Sequence, residues 1–343
     1  MKNVLILLVI VVISSSCANR KQAINNHVFI EETINKLTNK KVLIVEFWAP
    51  TCNPCIKLKN DIFENDHNKD FLNENFILVK ISPNDSIYKS LFKYYNLNTQ
   101  STVLFFDKSG VEIDRSVGYN GNKKDYMDFL YDISQRKNLF QEIYTKYKKD
   151  SSDININYQL AKKYQFRYEN SNAVNHFKFI VESDSLNQYG YKSECSFRIA
   201  EHSFFNSGSI EGLNSYINNY SNNEFSPKAY LYLINYYKKE NDHKNSLLTS
   251  SEALRKYPIN PDILNKHAWN IYLFKIKEDY SDAIEMISNA IKINSNNAAY
   301  WDTLAWLYFE SGEISKAIIS EQKAIEIFPH PVYKNALQQF ESI

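Results

Sequence analysis

Two patterns of apolar residues alternate in the first part of the chain, and a third pattern follows residue 153. Three short runs are almost continuously apolar and rich in β-branched and aromatic residues: residues 42–48, 76–81 and 102–106. All three runs predict strands, and the first is typical of a strand that is buried on both faces of a sheet. Three further segments space their apolar residues as one face of a helix: residues 52–63, 87–95 and 125–134.

A fourth strand is predicted over residues 111–117, after a turn at residues 107–110. A second turn, at residues 120–122, precedes the last of the three helices. The order is therefore strand, helix, strand, helix, strand, strand, helix. This order predicts an α/β layer arrangement.

Small or apolar residues recur through the rest of the chain at intervals of 34 to 39 residues. One such set is Ala161, Ala200, Ile234, Ala268 and Ala305, and a second is Ala173, Gly212, Ser246, Ala283 and Ala317. Repeats of this length, with small residues where two helices approach closely, predict an all-helical array of about five helix pairs over residues 154–343. The polar residues 138–153 before the array are predicted to be a solvated junction.

The N-terminus has the pattern of an export signal. Lys2 is followed by ten apolar residues, 4–13, which are too few to cross a bilayer as a helix but have the length of a signal-peptide core. Three serines then precede Cys17, an arrangement that resembles a bacterial lipoprotein cleavage site, although Ser14 and Ser16 stand where Leu and Gly or Ala are usual. We therefore expect a signal peptide over residues 1–16, a lipid on Cys17 and a linker over residues 17–27. An ordinary signal peptide cleaved nearby is the alternative.

Charge and length restrict the possible functions. The chain has 343 residues, which predicts two domains, and its 40 Lys and Arg against 39 Asp and Glu give a net charge of +1. A balanced chain has no electrostatic footprint for nucleic acid, so nucleic acid is not an expected partner.

Four cysteines are present, and two of them are close in sequence. Cys52 and Cys55 follow an apolar strand in the stretch EFWAPTCNPC, and this pair is a candidate redox couple, half of a metal site or a structural disulfide. Zinc needs about four ligands, and no second Cys/His cluster lies nearby, so we expect neither a metal nor another cofactor. Cys195 is predicted to be a buried, small apolar residue rather than a reactive thiol.

Residues 28–137 resemble the thioredoxin-like family, of the periplasmic thiol–disulfide oxidoreductase type. The residues that carry the resemblance are EFWAPTCNPC, Lys80, the later FFDKSG segment and Gly118. The resemblance implies a thioredoxin fold, with a central mixed sheet flanked by helices. It also implies that Cys52 attacks a partner disulfide and that Cys55 resolves the mixed disulfide. A helix that begins at the pair stabilises the Cys52 thiolate, and Pro54 is tolerated in its first turn.

Four further residues are expected to shape this site. Burial of Glu46 within an apolar strand raises its pKa and suits it to accept the Cys55 proton, and Lys80 resembles the lysine that often accompanies that acid. The alternative for both is a polar residue on the exposed face of a strand. Trp48 is expected to cover the cysteines, unless it is simply a core aromatic. Ser101 stands where the family has a cis-proline opposite the first cysteine, which puts substrate binding and redox tuning in question.

The helical part resembles tetratricopeptide (TPR) repeats, most closely over residues 298–329, although Glu321 lies where an apolar residue is usual. The combined resemblance implies an exported, membrane-anchored oxidoreductase facing the periplasm of a Gram-negative bacterium, and a reductase or isomerase rather than an oxidase. Its expected partners are client proteins with disulfides, a protein that donates or accepts electrons, and a protein or peptide ligand of the repeats. The alternative is an interaction scaffold whose thioredoxin-like domain is regulatory or vestigial.

Overall fold

The computed structural model describes residue 30, residues 32–35 and residues 41–342. The predicted signal peptide, the predicted lipidation site Cys17 and the linker to residue 27 lie outside the described residues. The chain divides into two compact units, and the division falls after Tyr189.

A four-stranded mixed sheet forms the centre of the first unit. Its strands are Val42–Phe47 (β1), Phe76–Ile81 (β2), Thr102–Phe106 (β3) and Glu112–Val117 (β4). They lie in the order β2-β1-β3-β4, with β1 parallel to β2 and antiparallel to β3, and with β4 antiparallel to β3. Every residue of β1 and β3 is buried. The mixed sheet and the predicted double burial of β1 are confirmed.

Helices cover both faces of this sheet. They are Asn53–Leu58 (α1), Lys69–Asn75 (α2), Tyr88–Tyr94 (α3) and Lys123–Ser134 (α4). Because side chains alternate along a strand, Val42 and Ile44 of β1 enter one apolar core, and Leu43 and Val45 enter the other. These two cores, one on each face of the sheet, fix the position of β1. They therefore also fix the point from which the segment after β1 starts.

Two of these elements differ from the sequence prediction. The helix predicted over residues 52–63 is α-helical only as far as Leu58 and continues as a π-helical turn over Lys59–Phe63. Helix α2 was not expected, since its seven residues contribute only Leu72 as a fully buried side chain. Short helices of this kind have too few apolar positions to show a periodic pattern.

Three helices that follow α4 belong to the same compact unit as the sheet: Phe140–Lys149 (α5), Ile154–Phe166 (α6) and Asn170–Ser183 (α7). The residues predicted as a solvated junction thus contain a helix, and its Ile143 is 1% exposed. The ring of Phe166 stacks on Phe129 of α4 at a centroid distance of 4.5 Å. The predicted boundaries of the domains stay a prediction.

The second unit consists of helices. They are Lys192–Ser207 (α8), Glu211–Asn219 (α9), Ser226–Lys239 (α10), His243–Lys256 (α11), Pro261–Leu273 (α12), Tyr280–Ile293 (α13), Ala298–Glu310 (α14), Ile314–Ile327 (α15) and Pro331–Glu341 (α16). The repeated small positions are where helices meet. At Gly212, for example, an added Cβ would lie 3.1 Å from the Cα of Ala200. Within the described residues, no helix is both long and apolar enough to cross a membrane.

Candidate active site

Cys52 and Cys55 form a disulfide at the start of α1. The S–S distance is 2.04 Å and the Cα atoms are 5.3 Å apart. Cys52 is the N-cap of the helix: its backbone N–H donates to Ala49 O at 3.0 Å, and its Sγ accepts from the backbone N–H of Cys55 at 3.3 Å. Pro54 lies in the first helical turn, where a missing N–H leaves no acceptor unpaired. The two sulfurs therefore meet across the first turn of the helix.

The two sulfurs differ in their exposure. Cys55 is 1% exposed, whereas Cys52 is only partly buried, and Pro50, Thr51 and Asn53 around it are exposed. A partner molecule can therefore reach Cys52 from solvent, while Cys55 faces the interior. This asymmetry suits Cys52 for attack and Cys55 for resolution.

Glu46 lies in the middle of the sheet, paired with Lys80 on β2 and with Val103 on β3. It is 1% exposed, so the alternative of a surface-facing residue does not hold. Burial raises the pKa of its carboxyl to about 7, and the nearby Lys80 ammonium opposes that rise. Among the described residues, Glu46 Oε2 has no hydrogen-bond partner. A buried carboxyl with a pKa near neutrality is able both to take up and to release a proton under physiological conditions.

Lys80 lies between two carboxylates and an indole. Its Nζ is 4.0 Å from Glu46 Oε2, 3.5 Å from Glu64 Oε1 and 5.7 Å from the centre of the Trp48 ring. Trp48 is partly buried and donates its backbone N–H to Ile81 O at 3.1 Å, so it continues the sheet beyond β1. Lys80 thus lies beside Glu46, as expected, and Trp48 lies beside Lys80. The roles assigned to these residues stay predictions.

Ser101 occupies the position before β3 in an unusual backbone conformation. Its φ is 62°, in the left-handed region, and no cis peptide bond occurs among the described residues. The backbone N–H of Ser101 donates to Phe47 O, and its carbonyl accepts from the Gly118 N–H, both at 2.8 Å. The side chain is 3% exposed, and its Oγ has no hydrogen-bond partner in the described part of the chain. Both backbone groups of Ser101 are therefore used inside the sheet.

The sequence did not reveal two charged residues that border this site. Lys59 begins the π-helical turn and Glu64 directly follows it, and their side chains form an ion pair of 3.2 Å. Their spacing in the sequence does not predict that Lys59 and Glu64 lie near Glu46 or Lys80, because the π-helical turn brings them there. In the described residues, no group of three or more His, Cys, Asp or Glu side chains is placed to hold a metal.

A family model of known proteins matches the first part of the chain. Residues 31–133 match the family model of the thioredoxin-like domain. The general transcriptional corepressor trfA of Dictyostelium discoideum is 28% identical over 108 residues, which are 32% of this chain. Those residues span 8% of the length of that relative.

The helical repeats resemble those of solved TPR proteins. The crystal structure of YrrB, described as a TPR protein with an unusual peptide-binding site, aligns with a TM-score of 0.43 at 12% identity, over 58% of this chain and 97% of YrrB. MamA from Desulfovibrio magneticus RS-1 aligns with a TM-score of 0.38 at 15% identity, over 44% of this chain and 84% of MamA. The family model confirms the predicted thioredoxin-like domain, and the helices that follow it confirm the predicted all-helical array.

Proposed function

We propose that this protein is a thiol–disulfide oxidoreductase that reduces or rearranges disulfides in client proteins. The observation that supports the proposal most strongly is the Cys52–Cys55 pair, in which one sulfur is open to solvent and the other faces the interior. The buried carboxyl of Glu46, which titrates near neutrality, adds a proton acceptor in the same domain.

The reaction begins from the dithiol form. The Cys52 thiolate attacks one sulfur of a client disulfide, so an S–S bond forms to Cys52 and the second client sulfur leaves as a thiolate. Cys55 then transfers its proton to the Glu46 carboxylate and attacks Cys52. The Cys52–Cys55 disulfide forms and the remaining client sulfur leaves. The client gains two electrons and this protein loses two, which a partner protein with a dithiol must restore.

Reduction of insulin disulfides by dithiothreitol, followed by turbidity, tests the activity. We expect the purified protein to accelerate the reduction and Cys52→Ala to abolish the acceleration. Cys195→Ala serves as the matched control because Cys195 is buried in the second unit and does not belong to the Cys52–Cys55 pair. Equal rates for wild type and Cys52→Ala would reject the proposal.

The location and the partners complete the proposal. The predicted signal peptide exports the protein, a lipid on Cys17 anchors it to the membrane facing the periplasm, and the helical repeats recruit client proteins or an electron-transfer protein. Metabolic labelling with a fatty-acid analogue tests the anchor. We expect the wild-type protein to be labelled and Cys17→Ser to remain unlabelled. Equal labelling of both proteins, or no labelling of either, would overturn the proposed lipid anchor.

A second candidate function is an interaction scaffold without turnover. The observation that favours it is Ser101, whose backbone groups are both engaged within the sheet and which replaces the proline of the resembled family. A Cys55→Ser variant separates the two functions, because it cannot resolve a mixed disulfide. Client proteins trapped through Cys52 would support the oxidoreductase, and the absence of trapped proteins would support the scaffold.

A further inference from the structure

We infer that Glu64 is a positioning residue for the proposed reaction: it draws the Lys80 ammonium toward the surface and so withholds from Glu46 the hydrogen bond that would keep Glu46 ionised. The inference rests on the proposed function, since it concerns the proton acceptor of that same site. It assigns a role at the site to a residue that lies outside both the sheet and the Cys-x-x-Cys helix.

The distances around Lys80 indicate a competition between two carboxylates. Lys80 Nζ is 3.5 Å from Glu64 Oε1, within hydrogen-bond range, and 4.0 Å from Glu46 Oε2, beyond it. Glu46 Oε2 is buried and has no hydrogen-bond partner among the described residues, although a flexible ammonium group lies this close. A lysine with one buried acceptor nearby would ordinarily approach that acceptor, because a charged group that is buried without a partner is costly.

The π-helical turn explains why Glu64 is in place to compete. The Glu64 N–H donates to Lys59 O at 2.7 Å, an i to i−5 bond that closes the turn. The Glu64 side chain is 52% exposed and also pairs with Lys59. Without the extra residue that a π-turn inserts, the residue after Phe63 would point in another direction around the helix axis. The turn thus directs a carboxylate toward the amino end of the Lys80 side chain.

Four titratable side chains act on the Glu46 carboxyl from the elements packed against it. Lys80 of β2 and Lys59 of the π-helical turn lower its pKa, and Glu64 after that turn raises it. Tyr126 of α4 is buried and remains neutral, because burial raises its own pKa far above its ordinary value. Removal of Glu64 lowers the pKa of Glu46 in two ways with the same sign. A negative charge is lost, and Lys80 becomes free to approach Glu46.

Titration of the Glu46 carboxyl carbon by NMR tests the inference directly. The full-length protein, labelled with ¹³C at glutamate, is titrated in its disulfide form so that no thiol ionises. In Glu64→Gln we expect the midpoint of the Glu46 titration to fall by about one pH unit as Lys80 moves into contact. In Lys80→Met we expect it to rise. Glu74→Gln, which changes an exposed glutamate on α2, should leave it unchanged.

The double variant Glu64→Gln/Lys80→Met distinguishes positioning from direct repulsion. If Glu64 acts through Lys80, Glu64→Gln shifts the midpoint of the Glu46 titration less than half as far in the Lys80→Met background as in the wild-type background. An unchanged midpoint in Glu64→Gln, or the same shift in both backgrounds, would overturn the inference.

Insulin reduction provides the second readout. The acid limb of the pH–rate profile of Glu64→Gln should move to lower pH by the same amount as the midpoint. A shifted midpoint in a protein with no reductase activity would refute the proposed function and leave the placement of Lys80 intact. An active enzyme whose midpoint does not move would refute the placement alone.

Discussion

The ammonium group of Lys163 lies 2.6 Å from the Asp114 carboxylate, and both side chains are almost completely buried. Asp114 belongs to β4 and Lys163 to α6, so the ion pair fixes the first helix of the repeat region to the edge of the sheet. The same Oδ2 atom accepts the backbone N–H of Phe140 at the start of α5, at 3.3 Å. One carboxylate therefore connects the sheet, the helix in the predicted junction and the first repeat helix.

Loss of one partner of this ion pair is expected to destabilise the first unit strongly. Lys163→Met leaves the Asp114 carboxylate buried without its main cation, which typically costs about 3–5 kcal/mol. Hydrogen exchange of peptides covering β4 and α6 measures the effect, and we expect faster exchange in both elements.

Lys146→Met is the control for this prediction, because Lys146 forms an exposed ion pair with Glu142. Pairs of that kind contribute about 0–1 kcal/mol. Similar protection in Lys163→Met and Lys146→Met would contradict the role given to the buried pair.

A substitution at Glu46 is expected to separate activity from stability. Because burial raises the pKa of Glu46 to about 7, the folded protein holds this proton at pH values where the unfolded chain has released it. Stability therefore falls as the pH rises from about 4.5 to about 7, by roughly 3 kcal/mol in total.

Glu46→Gln stays neutral and avoids this loss. At pH 8 we expect a higher melting temperature than in wild type together with slower insulin reduction, and at pH 5 we expect equal melting temperatures. A variant that is less stable than wild type at pH 8, measured by thermal denaturation, would contradict the assigned burial cost.

The sequence predicted those parts of the fold and site that depend on local pattern. Strand β1, the acid within it and the two cysteines all lie within residues 42–55, and a known motif connects them. Lys80 was found only because it resembles the lysine that often accompanies such an acid in the resembled family. The periodic small residues located the helix pairs, since close helix packing excludes larger side chains at those positions.

Pairings that the tertiary structure creates could not be predicted in this way. Asp114 and Lys163 are 49 residues apart, and each alone looks like an ordinary polar residue of an amphipathic element. Glu321 was recognised as unusual at an apolar repeat position, but its neighbour Asp302 was not, because they belong to different helices. Each pairing depends on helix packing, which periodicity alone does not specify.

The Asp302 and Glu321 carboxyls are expected to make the C-terminal repeat less stable as the pH rises from about 4.5 to about 8. Glu321 is fully buried and Asp302 nearly so, and their side chains face each other on α14 and α15. Within the described residues, Asp302 Oδ1 and both Glu321 oxygens have no hydrogen-bond partner. Burial raises the pKa of both groups, and their mutual proximity raises that of Glu321 further. The pair is therefore stable only while it retains a proton, and this stability is lost as the pH rises.

Glu321→Leu tests this expectation by restoring an apolar residue. Because the substitution removes the cost of ionising a buried carboxyl, Glu321→Leu is expected to stabilise the repeat more at pH 8 than at pH 5. Fluorescence of Trp301 and Trp306 on α14 reports the unfolding of this repeat. Glu326→Leu, at an exposed position of α15, is the control, and an equal gain in both variants would contradict the cost assigned to the buried carboxyls.

Ser101→Pro is expected to damage the protein rather than restore the proline of the resembled family. Proline fixes φ near −65°, whereas Ser101 has a φ of 62°, and proline also removes the N–H that donates to Phe47 O. Together these changes should cost about 3 kcal/mol or more. Ser101→Gly relieves the left-handed strain and should stabilise the protein by about 0.5–1 kcal/mol after the entropy of glycine is included. Thermal denaturation of both variants beside Ser101→Ala separates backbone from side-chain effects. A Ser101→Pro variant as stable as wild type would mean that this segment readily adopts the backbone geometry of the family, and the case for a scaffold would then lose its main support.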